Sequence, residues 1–401
     1  MLRSSVAVVA CDSYNQDEVN KAVARGISLL GGIGRFCNSG ERMLLKPNVL
    51  WGTDPERCVV THPSIFRAVA LLLQSHGVLL QYGDSPAGLQ TCAQAMQKPG
   101  FSKIAAELNM EPGDFDHGRY VAFSEGISCK QLFLANAVFN SDGLISLPKL
   151  KTHGLTRMTG AIKNQYGCIP GLVKGEYHAR LPDVYDFSKL LVDLNLFIKP
   201  RLYIMDAIYA MEGNGPQSGE PKKLGVLLFS ADPVALDSTA CRIIDLKPDF
   251  VPPIVEGVKA GLGVSSEDQI EIVGEPIIDL IDKDFKVVKS APVVLPQSRI
   301  LRQIRSRFTP RPVIDFKKCI HCQRCVKSCP VNPRALNSKS VQDTPRFDYQ
   351  NCIRCFCCQE VCPEKAISIK EPLLKKLFPV VSYISLFIAN RYSKKQREKQ
   401  C

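Results

Sequence analysis

No glycine-rich phosphate loop occurs in this chain. G-x-x-x-x-G-K-[ST] is absent, and no G-x-G-x-x-G follows a strand-like run. Gly261-Leu262-Gly263 follows a helix-like stretch and lacks the third glycine. The sequence therefore offers no evidence for NAD, flavin or ATP. Cys168 lacks the surroundings of an activated nucleophile. The uncharged run Leu377 to Asn390 has 14 residues, short of the ~20 needed to span a bilayer. The opening MLRSSVAVVACDSY lacks the h-region and small-residue cleavage site of a secretory signal. A cytoplasmic protein with reduced thiols is the expectation. With 401 residues, 45% hydrophobic and 22% charged, the chain reads as globular, in one large domain or two to three ordinary ones.

What the chain does have is cysteine, 17 residues in all. Eight fall in two runs of C-x2-C-x2-C-x3-C-P: Cys319, Cys322, Cys325 and Cys329, then Cys352, Cys355, Cys358 and Cys362. A cubane needs thiolates at four iron corners, and a C-x2-C-x2-C loop wraps three of them. Zinc sites favour two separated C-x2-C knuckles instead. The duplicated spacing resembles bacterial-type two-cluster ferredoxins over about residues 312–370. In those proteins the fourth thiolate serves the other cluster. The resemblance thus implies two [4Fe-4S] clusters. Cluster I would take Cys319, Cys322, Cys325 and Cys362, and cluster II Cys352, Cys355, Cys358 and Cys329. Cys357 fits neither set and reads as a bystander near cluster II, and His321 as a surface residue. Most of the scattered cysteines read as small core residues.

Residues 1–290 alternate short apolar runs with amphipathic ones. Strands are expected at Val6–Cys11, Met43–Leu45, Val78–Tyr82, Gly143–Leu147, Leu202–Met205 and Val226–Phe229. Helices are expected at Asp17–Leu30, from Pro63, and after Asp232-Pro233. This is the pattern of an α/β fold, a mainly parallel sheet with helices on both faces, followed by a small C-terminal α+β two-cluster ferredoxin domain.

Five strands run into polar or glycine-rich loops, at Lys46-Pro47-Asn48, Gly83-Asp84-Ser85, Lys149–His153, Asp206–Gly215 and Ser230–Asp232. In open α/β sheets the crevice beyond the strand ends binds ligands. The densest stretch, 149–178, holds Lys149, Lys151, His153, Arg157, Lys163, Lys174 and His178 against one acid, Glu176. A cationic, glycine-punctuated loop of this kind suits an anionic small molecule. His153 or His178 would supply acid–base chemistry, as would Lys151 or Lys163 if desolvation lowered its pKa. Asp206, Glu212 or Asp232 would steer a lysine or bind a metal. Lys46, Asn48, Asp84 and Lys149 would contact the anion or substrate.

Several segments resemble the domain-of-unknown-function 362 family: KPN at Lys46, THP at Thr61, GDSP at Gly83, LPKLKTH, TGAIKNQYGCIPG, DAIYAMEGNGP and DPVALD. The family often carries a C-terminal two-cluster ferredoxin, so the resemblance spans nearly the whole chain. It implies an iron–sulfur protein typical of anaerobic metabolism, without an established reaction or transferable catalytic residues. The domain plan is then 1–290 for the α/β unit, 291–312 for a Pro/Arg-rich linker with Ile300, Leu301 and Ile304 along one helix side, 313–370 for the ferredoxin and 371–401 for a basic tail.

From Gln297 onward there are 22 Lys and Arg against 7 Asp and Glu, whereas residues 1–296 carry 29 against 32. The positive end favours an acidic redox donor or acceptor protein, or peripheral contact of the tail with the inner face of a membrane. Nucleic acid is disfavoured because no recognition motif accompanies the charge. The expected function is iron–sulfur electron transfer to an anionic substrate or further cofactor in the α/β crevice. The alternatives are a partner in electron transfer or maturation of a larger redox complex, and a non-redox enzyme with structural clusters.

Overall fold

Val6 to Val9 are buried without alternation, which requires a cover on both faces of their strand. The computed structural model, which describes residues 3–88, 90–171, 173–292 and 309–372, provides one. Its large unit contains β1 (Ser4–Ala10), β2 (Arg42–Pro47), β3 (Leu79–Tyr82), β4 (Glu111–Pro112), β5 (Gly118–Ala122), β6 (Gln131–Ala135), β7 (Gly143–Leu147), β8 (Lys149–His153), β9 (Arg157–Thr159), β10 (Leu202–Glu212), β11 (Glu220–Ser230) and β12 (Ile270–Gly274). The main sheet runs β12-β1-β11-β10-β7-β2-β3-β4, and β8 joins β10 and β9. Most pairings are parallel. The exceptions are β11 against β1 and β10, and the β8–β9 hairpin. β5 and β6 form a separate hairpin.

One helical group, Gln16–Leu29 with Pro63–Ser75, packs against β1, β2, β3 and β11. A second, Val184–Ile198, Pro233–Ile243 and Pro252–Lys259, covers the same sheet with Pro233–Ile243 on β1 and β11. Local chemistry sets the helix starts. Asn15 accepts from the N–H groups of Asp17 and Glu18, His62 caps through Nδ1 ahead of Pro63, and Asp232 accepts from Val234 and Ala235 ahead of Pro233.

Two expected loops are strands. Lys149–His153 is β8, pairing with the far half of β10 (Asp206↔Lys149, Met211↔Lys151) and folding back onto β9. Asp206 lies inside the eleven-residue β10, and Glu212 ends that strand rather than riding in a loop. Lysines and a histidine at successive buried positions resemble loop chemistry in sequence; here their polar ends are taken up by partners within the fold.

The C-terminal unit pairs β13 (Arg311–Ile314) with β16 (Ile367–Lys370), and β14 (Leu336–Asn337) with β15 (Arg346–Phe347), all antiparallel. Single-turn helices Arg324–Lys327 and Cys357–Glu360 follow the two cysteine loops. Leu336, Cys358 and Ile367 form its small core.

The two units touch along β8. A Cβ at Gly154 would fall 2.0 Å from Ile369 Cδ1, so any larger residue here would have to displace that side chain. Gln359 Nε2 donates to the carbonyls of Asn214 (2.8 Å) and Gly215 (3.1 Å). No helix among the described residues is long and apolar enough to cross a membrane. The expected linker helix and the tail run Leu377–Asn390 lie outside the described residues.

Candidate functional site

Beyond the ends of β2, β3 and β8, a cavity of about 290 Å³ opens between the two units. Asn48, Asp84 and Ser85 enter it from the strand ends, and Lys151 from β8. Lys163 comes from the short helix Ala161–Asn164, and Lys174 and His178 come from the helix Val173–Arg180. The opposite wall belongs to the C-terminal unit: Cys329, Pro330, Cys357, Glu360 and Val361.

The buried charges are partnered unevenly. Lys46 Nζ is 2.7 Å from Asp84 Oδ1, a pair shut from solvent beneath the cavity, and Val49 N–H donates to Asp84 Oδ2 at 2.8 Å. Gly167 crosses directly over this pair, where a Cβ would meet Asp84 Oδ1 at 1.8 Å. Lys174 Nζ donates to Ser85 O (2.9 Å), Ser85 Oγ (2.7 Å) and Pro86 O (3.2 Å), committing its three protons. Lys151 Nζ donates to Asn48 Oδ1 (2.6 Å) and Val59 O (2.7 Å), leaving one proton uncommitted. The Lys163 ammonium makes no hydrogen bond or ion pair among the described residues; it lies 5.8 Å from the Tyr166 ring centre.

Burial governs the protonation states. Desolvation, reinforced by the charge of Lys163, brings Lys151 down to about 7. Desolvation also brings Lys174 to about 7 against the pull of Asp84, and it lowers Lys163. His153 and His178 fall to about 4 for the same reason. The histidines are therefore neutral at pH 7, and the groups that titrate near neutrality are Lys151 and Lys174. Against its own desolvation, Glu360 is held at about 2 by the His153 hydrogen bond and the Lys163 charge.

His153 stands behind the cavity rather than in it. Its Nδ1 accepts from the N–H groups of Leu155 (3.0 Å) and Thr156 (3.3 Å), so the ring proton sits on Nε2 and is donated to Glu360 Oε1 at 3.0 Å. Histidine from one unit and carboxylate from the other thus form a buried strut across the interface. His178 does line the cavity, stacked on Phe187 with centroids 4.3 Å apart.

Lys149 and Asp206 belong to a different network. Lys149 Nζ lies 2.8 Å from both Asp206 Oδ2 and Tyr14 OH, while Tyr14 OH donates to Asp206 Oδ1 at 2.9 Å. His62 donates its backbone N–H to Asp206 Oδ2 and stacks on Tyr14 at 3.6 Å. Every charge there is matched internally. Glu212 binds Lys286, and Asp232 ties Ser4 to two helix N–H groups. Of the residues expected to form a site, Asn48, Asp84, Lys151, Lys163 and His178 share the cavity; Lys46, Lys149, His153 and Asp206 do not. Glu360 and Cys357 had no local signal, because only the fold brings them next to residues some 200 positions earlier.

Two smaller cavities in the C-terminal unit sort the motif cysteines. One is lined by Cys319, Cys322, Cys325 and Cys362, the other by Cys329, Cys352, Cys355 and Cys358. Each joins three thiols of one loop to the fourth of the other. Among the described residues, no set of three or more His, Cys, Asp or Glu side chains is arranged to grip a single metal ion. A cubane takes its thiolates at separate corners, and the apolar surroundings (Ile314 and Ile320 in one cavity; Val331, Leu336 and Phe347 in the other) suit such a group. The donor sets fit. Cys357 belongs to neither set; it lines the large cavity, with its thiol against that of Cys355.

Residues 43–242 match a family model described as a domain of unknown function (DUF362), and residues 311–363 match a 4Fe-4S dicluster domain. The chain is 33% identical over 306 residues to a thylakoid-associated protein of Synechocystis sp., covering 76% of this chain and 94% of that one. Among solved structures it is similar to the lactate racemase apoprotein of Thermoanaerobacterium thermosaccharolyticum, with TM-score 0.38 and 11% identity over 59% of this chain and 56% of that one. A Thermotoga maritima protein gives TM-score 0.34, 11% identity and coverage of 56% and 57%. Both are too distant to inform the site. The chain belongs to the DUF362 family and carries a 4Fe-4S dicluster domain at its C-terminal side.

Proposed function

We propose that this protein is an iron–sulfur oxidoreductase that exchanges single electrons with a small anionic molecule held between its two units. The observation that carries this reading is the shared cavity wall. Cys329, a ligand in the second thiol set, faces the same space as Lys151 and Lys163. Two [4Fe-4S] clusters, with the ligand sets given above, would supply one-electron chemistry when bound. Lys163 and the uncommitted proton of Lys151 bind the anion; Lys46 neutralises Asp84, and Lys163, Lys174 and Lys327 set cationic groups against the carboxylates of Glu176 and Glu360 on the cavity wall. Lys151, poised near neutrality, holds or releases the proton that accompanies reduction of a bound group. Leu50, Ala87, Pro216 and Val361 give the cavity an apolar side that excludes water from the rest of the ligand.

Anaerobic purification with iron and sulfide counts, and EPR before and after dithionite, tests the first half. About eight irons with reducible cubane signals are expected. Malonate and inorganic phosphate test the second half: either is expected to perturb the reduced EPR signal in wild type and not in Lys163→Met. Clusters that stay oxidised in dithionite, or signals indifferent to both anions, remove the reading. The name of the Synechocystis relative also supports peripheral membrane contact. Equal membrane partitioning of full-length protein and a chain ending at Glu371 would remove that contact.

A further inference from the structure

Beside the first thiol set, the C-terminal unit has a surface with the character of an electron entry site. The cavity framed by Cys319, Cys322, Cys325 and Cys362 is also lined by Ile320, which is 59% exposed. Phe316 is 66% exposed and Val341 75%. The first two share a loop, and the third lies on a turn tied to the same motif. Phe316 and Ile320 flank Cys319 on one loop, and Gln323 Nε2 donates to the carbonyls of Val341 and Asp343 at 3.0 Å, pinning the 338–343 turn beside that loop. Ser338 Oγ donates to Gln323 Oε1 at 2.9 Å from the same turn. A monomer gains nothing by leaving large apolar side chains in water beside a redox site; such a patch marks a contact surface.

The charge around the patch has one sign in surplus. Lys317, Lys318 and Lys339 are exposed and form no ion pair among the described residues. Of the acids nearby, Asp315 and Asp343 each accept a backbone N–H of their own turn, from Lys317 and Ser340, and Glu364 is exposed on the rim of the same cavity. Residues 309–372 hold 11 Lys and Arg against 6 Asp and Glu. Arg324 is engaged elsewhere, its guanidinium 5.2 Å from the Trp51 ring centre at the unit boundary.

We propose that Phe316, Ile320 and Val341, ringed by Lys317, Lys318 and Lys339, dock an acidic single-electron carrier protein. The carrier would be oxidised by one electron per encounter, and an iron–sulfur group held by Cys319, Cys322, Cys325 and Cys362 would take that electron. Encounters of this kind use small interfaces. Lysines around an apolar centre would supply speed and orientation, and the apolar residues close contact. The inference does not depend on what occupies the large cavity.

The test uses an acidic plant-type [2Fe–2S] ferredoxin as probe and the basic cytochrome c as control. Calorimetry at low salt measures binding to the cluster-loaded protein, and stopped-flow absorbance measures reduction by the pre-reduced ferredoxin. Ferredoxin is expected to bind and to react at a rate that falls at least about tenfold on raising salt. The triple variant Lys317→Glu/Lys318→Glu/Lys339→Glu is expected to lose binding and about tenfold or more in rate, with iron content and dithionite reduction unchanged. Because Lys318 adjoins a ligand, Lys339→Glu and Val341→Ser are made separately. Each is expected to slow the reaction with full iron content. No ferredoxin binding at low salt, equal binding of cytochrome c, or wild-type rates in iron-replete variants would overturn the proposal. Failure of malonate or phosphate to bind would bear on the cavity alone.

Discussion

Raising the pH should empty the large cavity of anions, and the structure says how steeply. Malonate is a suitable probe because it stays a dianion above neutrality. In the free protein Lys151 has a pKa of about 7, so at about pH 9 roughly one molecule in a hundred carries its charge. At about pH 7 half the molecules are charged, so binding that needs the charged ammonium weakens about 50-fold between about pH 7 and pH 9, or about 2.3 kcal/mol, approaching tenfold per unit at the upper end. That is within the 1.5–3 kcal/mol or so attributed to a hydrogen bond with a charged group. Lys174 is expected to add little, since Ser85 and Pro86 already take its three protons. Lys163, also lowered by burial, can only steepen the dependence. Calorimetry at about pH 8 in two buffers of different ionisation heat counts the protons taken up; about one or more is expected. Lys151→Met should weaken binding at pH 7 and remove about one proton from the count. A wild-type dissociation constant that stays flat across this range, or binding without proton uptake, would refute the assignment of Lys151 as an anion ligand.

Removing the charge of Asp206 by Asp206→Asn strands Lys149 and Tyr14 in a closed network and is expected to cost about 3–5 kcal/mol in chemical denaturation. Gln359→Ala breaks two carbonyl contacts across the interface; a loss of about 1–3 kcal/mol and faster proteolytic cleavage between the units are expected. Burial lowers the proton affinity of Lys151 and Lys174, so the unfolded chain binds more protons above their folded pKa values of about 7. Stability should therefore rise from about pH 7 towards the ordinary lysine range, by at most about 1.4 kcal/mol per unit for each lysine. A rise of the thermal midpoint that is no smaller in Lys151→Met than in wild type would contradict this.

The strand–helix alternation of the large unit was legible because its strands are short, apolar and bounded by Pro, Gly and capping Asp, which act locally. The cysteine motifs were legible because the ligand loops are local too. Where meaning depended on distant neighbours, sequence reasoning failed in identifiable ways. Lys149 and Lys151 are two residues apart on one strand, yet one is neutralised by Asp206 of β10 and the other faces the cavity. Nothing within a few residues of either distinguishes them. His153 reads as a neutral-pH acid–base group until its burial and its bond to Glu360 are known. Cys357 reads as a spare thiol because its significance lies in which way the short helix Cys357–Glu360 turns it.

That helix has a further consequence. Cys355, Cys358 and Cys362 are metal-binding positions by motif, while the intervening Cys357, Glu360 and Val361 wall the large cavity, and Gln359 fastens the segment to Asn214 and Gly215. One stretch of chain therefore serves as cofactor cradle, pocket wall and inter-unit latch. Filling of the cradle and completeness of the pocket wall are thus expected to be coupled. Loss of order at the metal-binding loop would then disturb the pocket wall and the inter-unit latch together.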